Sequence, residues 1–222
     1  MSPDMLFNLL TKALLQTLQM VAAAGLIGSL IGLPIGVFLA TSGRGELCAA
    51  PTANRIVGLV VNAARSTPFI ILVVAIIPFT RLVAGTSIGT SAAIVPLTIA
   101  TIPFVARLTE AAIREVDKGL IEAARAMGAT PMQIVFKVLL AEARPGLTLA
   151  LTLTLVSLVG FSAMVGAVGG GGLGDLGIRY GYQRFMPDVM LAVVVVLIVL
   201  VQAIQSAGDA LARRFDKRSR KT

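Results

Sequence analysis

Residues 189–208 read VMLAVVVVLIVLVQAIQSAG, which is a run of 20 residues without an acidic or basic side chain. A helix of this length rises about 30 Å, the thickness of the hydrocarbon layer of a bilayer. The run is therefore predicted to cross a membrane. Four further charge-free runs of at least 15 residues occur in the chain, at residues 13–43, 66–80, 82–106 and 145–174.

Three of these four runs are long enough to span a bilayer unaided. The run 66–80 reaches that length only together with the apolar residues that precede Arg65. We therefore predict an all-α membrane protein, a single transmembrane domain over 1–222, with helices at about 13–40, 57–79, 86–106, 147–168 and 189–208. The helix at 13–40 is expected to stay in the protein and not to be cleaved off as a signal peptide, because it is longer than the roughly 7–15-residue apolar core of such a peptide.

The composition excludes several classes of protein. Of the 222 residues, 56% are hydrophobic and 14% are charged, with no His and a single Cys, Cys48. A thiolate–imidazole zinc site, a His-based catalytic triad and a disulfide framework are therefore excluded. The sequence also has no G-x-x-x-x-G-K-[ST] motif for ATP phosphates. We predict no catalytic residues, no metal and no cofactor.

The positive charges predict the orientation in the membrane. Five spans place the termini on opposite sides, and an external N-terminus puts 15 of the 19 basic residues in cytoplasmic segments. This distribution follows the positive-inside rule and predicts a cytoplasmic C-terminus. The basic tail 209–222 follows a span directly, which favours anionic lipid headgroups over nucleic acid as its partner.

Polar and small residues inside the spans have both structural and functional interpretations. A row of glycines in the first span, Gly25, Gly28, Gly32 and Gly36, predicts close approach of another helix. Arg65, next to Ser66, either extends its side chain to the interface or faces a wet cavity of a pathway. Thr152 and Ser157 in the fourth span either line a pathway or bond to their own helix. Gly172 belongs to a glycine-rich exit that suits an outer gate.

The long segment 107–145 combines charge with regular pattern. Residues 109–127 are predicted to form a helix that ends at Gly128 in a left-handed cap, and Thr130, Pro131 and Gln133 predict a capping box that starts a second helix. Six basic and five acidic residues nearly cancel here. A near-neutral amphipathic pair of helices suits a protein partner better than a phosphate backbone.

This segment resembles the E-A-A loop of permease subunits of ATP-binding-cassette (ABC) importers. Glu122, Ala123 and Ala124 are followed after three residues by Gly128, as in the family pattern E-A-A-x-x-x-G. The pattern continues with nine residues and I-x-L-P, where this chain has residues 129–137 and then VLLA, so that Val138 and Ala141 depart from it. We call residues 107–145 the E-A-A loop.

Further segments narrow the resemblance to permeases of methionine importers. They are NAARSTPFIIL at 62–72, IPFTR at 77–81, GTSIG at 85–89, AAIVPLT at 92–98, residues 122–133 and the glycine-rich exit from the fourth span. The resemblance implies the five-span type I importer permease fold in a bacterial inner membrane. It also implies a homodimer bound to two cytoplasmic ATPase subunits and to a periplasmic or lipid-anchored methionine-binding protein.

The same resemblance assigns roles in the E-A-A loop. Glu122, Ala123, Ala124 and Gly128 would couple the permease to the ATPase: the alanines allow close approach, Gly128 makes the turn, and Glu122 pairs with a basic group or with local backbone donors. The alternative is that the motif only stabilises the loop.

Two other functions are considered. One is an importer permease for a different amino acid or small solute. The other is a self-sufficient channel or secondary transporter, which the lack of Asp and Glu within the apolar runs disfavours.

Overall fold

The computed structural model describes residues 2–215, and these residues form helices without β-strands. The α-helices are α1 (Pro3–Thr41), α2 (Pro51–Ser66), α3 (Phe69–Ala75), α4 (Ile77–Ala84), α5 (Thr90–Arg114), α6 (Lys118–Ala126), α7 (Pro131–Gln133), α8 (Leu140–Glu142), α9 (Arg144–Ala167), α10 (Gly172–Leu176) and α11 (Pro187–Phe215). Two π-helices occur at Ile134–Leu139 and Gly177–Tyr182.

Four of the described helices, α1, α5, α9 and α11, are long and apolar enough to cross a membrane. The pair α2 and α3 provides a fifth span if a pair bent by 99° counts as one. The all-α membrane fold is thus confirmed. The predicted span at 57–79 is not one helix, because Pro68 disfavours helical backbone at Thr67 and a second break follows at Ile76.

The described chain divides into two compact units, and each of the shorter α-helices belongs to only one of them. The first unit contains the residues up to Gly28, Thr67–Thr101 and Thr154–Gln205. Its core holds Met20, Leu97 and Leu158, which are almost fully buried. The rings of Phe69 and Phe161 stack beside this core with centroids 4.6 Å apart.

The second unit contains Ser29–Ser66, Ile102–Leu153 and the residues from Ser206 onwards. In this unit the backbones of α1 and α5 lie close together. A Cβ atom added to Gly32 would lie 2.7 Å from the carbonyl oxygen of Ile102, and one added to Gly36 would lie 2.5 Å from that of Ala106. The predicted packing role of these glycines is confirmed, since even alanine does not fit without a shift.

The C-terminal helix α11 extends the last span to Phe215 and includes Arg213 and Arg214 in its last turn. The other basic residues of the predicted tail, Lys217, Arg218, Arg220 and Lys221, lie outside the described residues.

Candidate coupling site and pathway residues

The first half of the E-A-A loop is two helices where the sequence predicted one. Helix α5 continues to Arg114, and α6 begins at Lys118 after a break. Asp117 causes the new start, because its carboxylate accepts a hydrogen bond from the backbone N–H of Gly119 at 2.8 Å and caps α6. The prediction of a continuous helix over 109–127 was therefore wrong.

The turn after α6 agrees with the prediction. Gly128 has a φ of 81°, in the left-handed region, and lies exposed. The Thr130 hydroxyl accepts from the N–H of Gln133, and the Gln133 side-chain oxygen accepts from the N–H of Thr130 at 2.9 Å. The left-handed cap and the capping box are both confirmed.

One face of the loop is buried against other residues of the loop and against Ala40 near the end of α1. Ala124 is only 3% exposed and packs in a cluster with Val116, Ile134 and Leu139. A π-helix at Ile134–Leu139 brings two of these residues into the cluster. Ala124 therefore stabilises the fold of the loop and does not form part of its accessible surface.

Other side chains of α6 and of the turn that follows it are accessible. Glu122 and Ala123 are exposed, and Met127 is 82% exposed directly before the Gly128 turn. Three further apolar side chains of the loop are exposed, those of Leu120, Met132 and Phe136. Helical spacing places Met127 on the same stripe as Ala124, so periodicity alone assigns it to the core, and only the structure identifies it as accessible.

An acidic side chain near the end of α5 is buried between two arginines. Glu110 is 6% exposed, accepts a hydrogen bond from Arg107 and forms an ion pair with Arg114 at 2.8 Å. The second terminal nitrogen of Arg107 donates to the carbonyl oxygen of Gly58 in α2 at 3.0 Å. The pairing of Glu110 with Arg107 and Arg114 was not predicted, although spacings of three and four residues permit such ion pairs on a helix.

Arg65 and Ser66 form the exposed C-terminal end of α2. The Ser66 hydroxyl donates to the carbonyl oxygen of Asn62 at 2.9 Å, so this hydroxyl is satisfied within its own helix. Arg65 is exposed as well.

The three other candidate pathway residues belong to different parts of the fold. Thr152, in the second unit, is buried and donates to the carbonyl oxygen of Thr148 at 2.9 Å, while Gly208 approaches it closely. Ser157, in the first unit, is half-buried. The hydroxyl of Thr152 therefore bonds back to its own helix, which was the structural alternative of the sequence analysis.

Gly172, also in the first unit, is buried with a φ of 79°. Its N–H donates to the side-chain oxygen of Gln16 at 3.0 Å, and the N–H of Leu173 donates to the hydroxyl of Thr17 at 2.9 Å. An added Cβ would lie 2.7 Å from both Thr17 and Met20. The glycine-rich exit is thus held against α1, and this position requires glycine.

The described residues contain no group of three or more His, Cys, Asp or Glu side chains that could hold a metal ion. In the second unit the structure instead brings together the folded E-A-A loop, its exposed side chains and the paired Arg107, Glu110 and Arg114.

Comparison with known proteins places these features among transport proteins. Residues 32–221 match the family described as binding-protein-dependent transport system inner membrane component. The chain is 58% identical over 211 residues to the probable D-methionine transport system permease protein MetI of Vibrio cholerae, covering 95% of this chain and 94% of that protein. It is 55% identical over 166 residues to the D-methionine transport system permease protein MetI of Escherichia coli K12, covering 75% and 76%.

A solved structure resembles the whole fold. A chain from the inward-facing conformations of the MetNI methionine ABC transporter superposes with a TM-score of 0.94 and 53% sequence identity, covering 98% of this chain and 100% of that one.

Proposed function

The chain belongs to the family of binding-protein-dependent transport system inner membrane components, and we propose that it is the permease subunit of an ATP-driven methionine importer. Family membership confirms the resemblance read from the E-A-A loop, and the likeness to the MetNI chain confirms the importer permease fold. The observation that carries the substrate proposal is the 58% identity across 95% of the chain to a probable D-methionine permease. The chain is a transporter subunit of a multi-pass inner-membrane family and not an enzyme.

We propose that the exposed side chains of α6 and of the turn after it dock on an ATPase subunit. Glu122 and Ala123 are accessible there, and Met127 adds a flexible apolar side chain that adapts well to a partner surface. Ala124 and Gly128 act indirectly in this proposal, Ala124 by filling the loop core and Gly128 by making the turn. Nucleotide-driven movement of the ATPase would then move the whole loop as a folded body.

The proposed assembly contains two copies of this chain, two ATPase subunits and a methionine-binding protein on the outer face. Membrane lipid surrounds the apolar helix surfaces, and nucleic acid is not a partner. The large exposed side chains of α11, which include Leu191, Ile198 and Val199, support contact with lipid or with a second copy.

We propose that the N-terminus is external and the C-terminus cytoplasmic. The support is the distribution of 15 basic residues against four that this orientation gives. The E-A-A loop is then cytoplasmic, where an ATPase can reach it.

Arg65, Ser66, Thr152, Ser157 and Gly172 remain candidates for the pathway or its gate. Arg65 and Ser66 are supported by their exposure at the C-terminal end of α2, where the bent pair of helices α2 and α3 is broken. For Gly172, the support is its need for a positive φ and for close contact with α1. Thr152 would contribute by packing, since its hydroxyl is bonded to Thr148.

Reconstitution tests the proposed function directly. Proteoliposomes containing this chain, the ATPase subunit and the binding protein should accumulate radiolabelled methionine only with ATP. Uptake of another amino acid in preference to methionine would indicate the alternative importer. Uptake by this chain alone would indicate a channel or secondary transporter.

A further inference from the structure

Glu110 is a buried acidic residue that pairs with two arginines. Glu110 is 6% exposed, and each of its carboxylate oxygens pairs with a different guanidinium: one accepts a hydrogen bond from Arg107, and the other forms an ion pair with Arg114. An unpaired carboxylate at this depth would be strongly destabilising. We call Arg107, Glu110 and Arg114 the charged cluster.

The charged cluster extends from α5 to α2. Arg107 donates one terminal nitrogen to Glu110 and the other to the carbonyl oxygen of Gly58, 49 residues earlier in the chain. The carboxylate thus fixes the direction of the guanidinium, because a planar fork bonded at one arm leaves the other arm little freedom. Beside this contact α2 packs on α1 and α5 through Val61, Leu39 and Ala106.

The other end of the charged cluster reaches the E-A-A loop. Arg114 is the last residue of α5, and its neighbours Ile113 and Val116 are buried in the same cluster as Ala124 of α6. A displacement of α6 therefore acts on the end of α5 through packed side chains. From there Glu110 and Arg107 connect it to α2, the helix that ends at Arg65 and Ser66.

One donor of the charged cluster is left without a partner. The Nε atom of Arg107 is buried and makes no hydrogen bond with any described residue. Buried unpaired donors are uncommon because they are destabilising, and they require an explanation. The two terminal nitrogens of the same guanidinium are bonded to Glu110 and to the carbonyl oxygen of Gly58.

We propose that Glu110 is a positioning residue of the transport cycle, which directs Arg107 so that movement of the E-A-A loop is transmitted to α2. The inference rests on the proposed function. It predicts that loss of the Glu110 charge uncouples ATP hydrolysis from methionine movement without preventing either the docking or the hydrolysis.

The test compares Glu110→Gln with Glu115→Gln in the reconstituted complex with its ATPase and binding protein. Glu115 is an exposed glutamate five residues further on and is the matched control. We expect Glu110→Gln to assemble and to hydrolyse ATP, but to transport at least about fivefold less methionine per ATP hydrolysed. A factor of about five is the lower end of the range that is typical of coupling between two sites. The control should keep the wild-type ratio.

A wild-type ratio of methionine transported to ATP hydrolysed in Glu110→Gln would overturn the proposal. If uptake and hydrolysis both fall while this ratio stays unchanged, Glu110 has a purely structural role. If Glu110→Gln does not assemble, Arg107→Lys retains the charge but not the two-armed contact and should give the lowered ratio. Failure of both variants to assemble would also overturn it. Absence of ATP-driven methionine uptake in the wild-type complex would instead contradict the proposed function.

Discussion

At the scale of single residues, Gly128 is the position where a substitution acts through the backbone alone. Its φ is 81°, and a Cβ added there would meet no atom within 4 Å. Gly128→Val should therefore cost about 1–2 kcal/mol of backbone strain at the turn. We expect it to abolish ATP-driven methionine uptake in proteoliposomes while membrane insertion is kept.

Gly128→Asn is the matched variant, since asparagine tolerates the left-handed region better than other residues with a side chain. It should retain much of the uptake that Gly128→Val loses. Equal uptake by Gly128→Val and the wild type would show that the geometry of this turn is not required.

The two alanines of the E-A-A motif have different environments and should respond differently to enlargement. Ala124→Leu overfills a buried cluster and is expected to destabilise the loop by about 1–3 kcal/mol. Ala123→Leu changes an exposed position and should leave the thermal unfolding midpoint in detergent unchanged while reducing co-purification of the ATPase. A lowered midpoint for Ala123→Leu would contradict this division of roles.

At the scale of elements, the glycine face of α1 fixes its distance from α5. Gly36→Ala places a methyl group 2.5 Å from the carbonyl oxygen of Ala106, so one helix must move. Overpacking of this kind typically costs about 1–3 kcal/mol. We expect a thermal midpoint in detergent lower by at least about 2–4 °C for a chain of this size.

Gly160→Ala in α9 is the control, because an added Cβ there meets open space and the backbone is helical. It should not lower the midpoint. An unchanged midpoint for Gly36→Ala would show that α1 and α5 can move apart at little cost in stability, and would contradict the prediction.

Much of the element structure could be predicted because it depends on local chemistry. Charge-free runs indicate long apolar helices, and the capping box at Thr130 and the turn at Gly128 depend on neighbouring residues only. The break before α6 was not predicted, because the apolar positions Val116, Leu120 and Ala124 continue at helical spacing across it, although Asp117 is a preferred N-cap residue and its bond to Gly119 is local. The bond from Arg107 to Gly58 joins residues far apart in sequence, and no spacing rule reveals it.

At the scale of the whole molecule, the orientation can be tested with the single native cysteine. Cys48 is exposed between α1 and α2, on the side that we propose is cytoplasmic. A membrane-impermeant maleimide should therefore label Cys48 in inverted membrane vesicles and not in spheroplasts. In a Cys48→Ser background, Thr86→Cys between α4 and α5 should give the reverse pattern, because one span separates the two loops and Thr86 is exposed. Labelling of Cys48 in spheroplasts would place the E-A-A loop outside, out of reach of a cytoplasmic ATPase, and would contradict the proposed coupling.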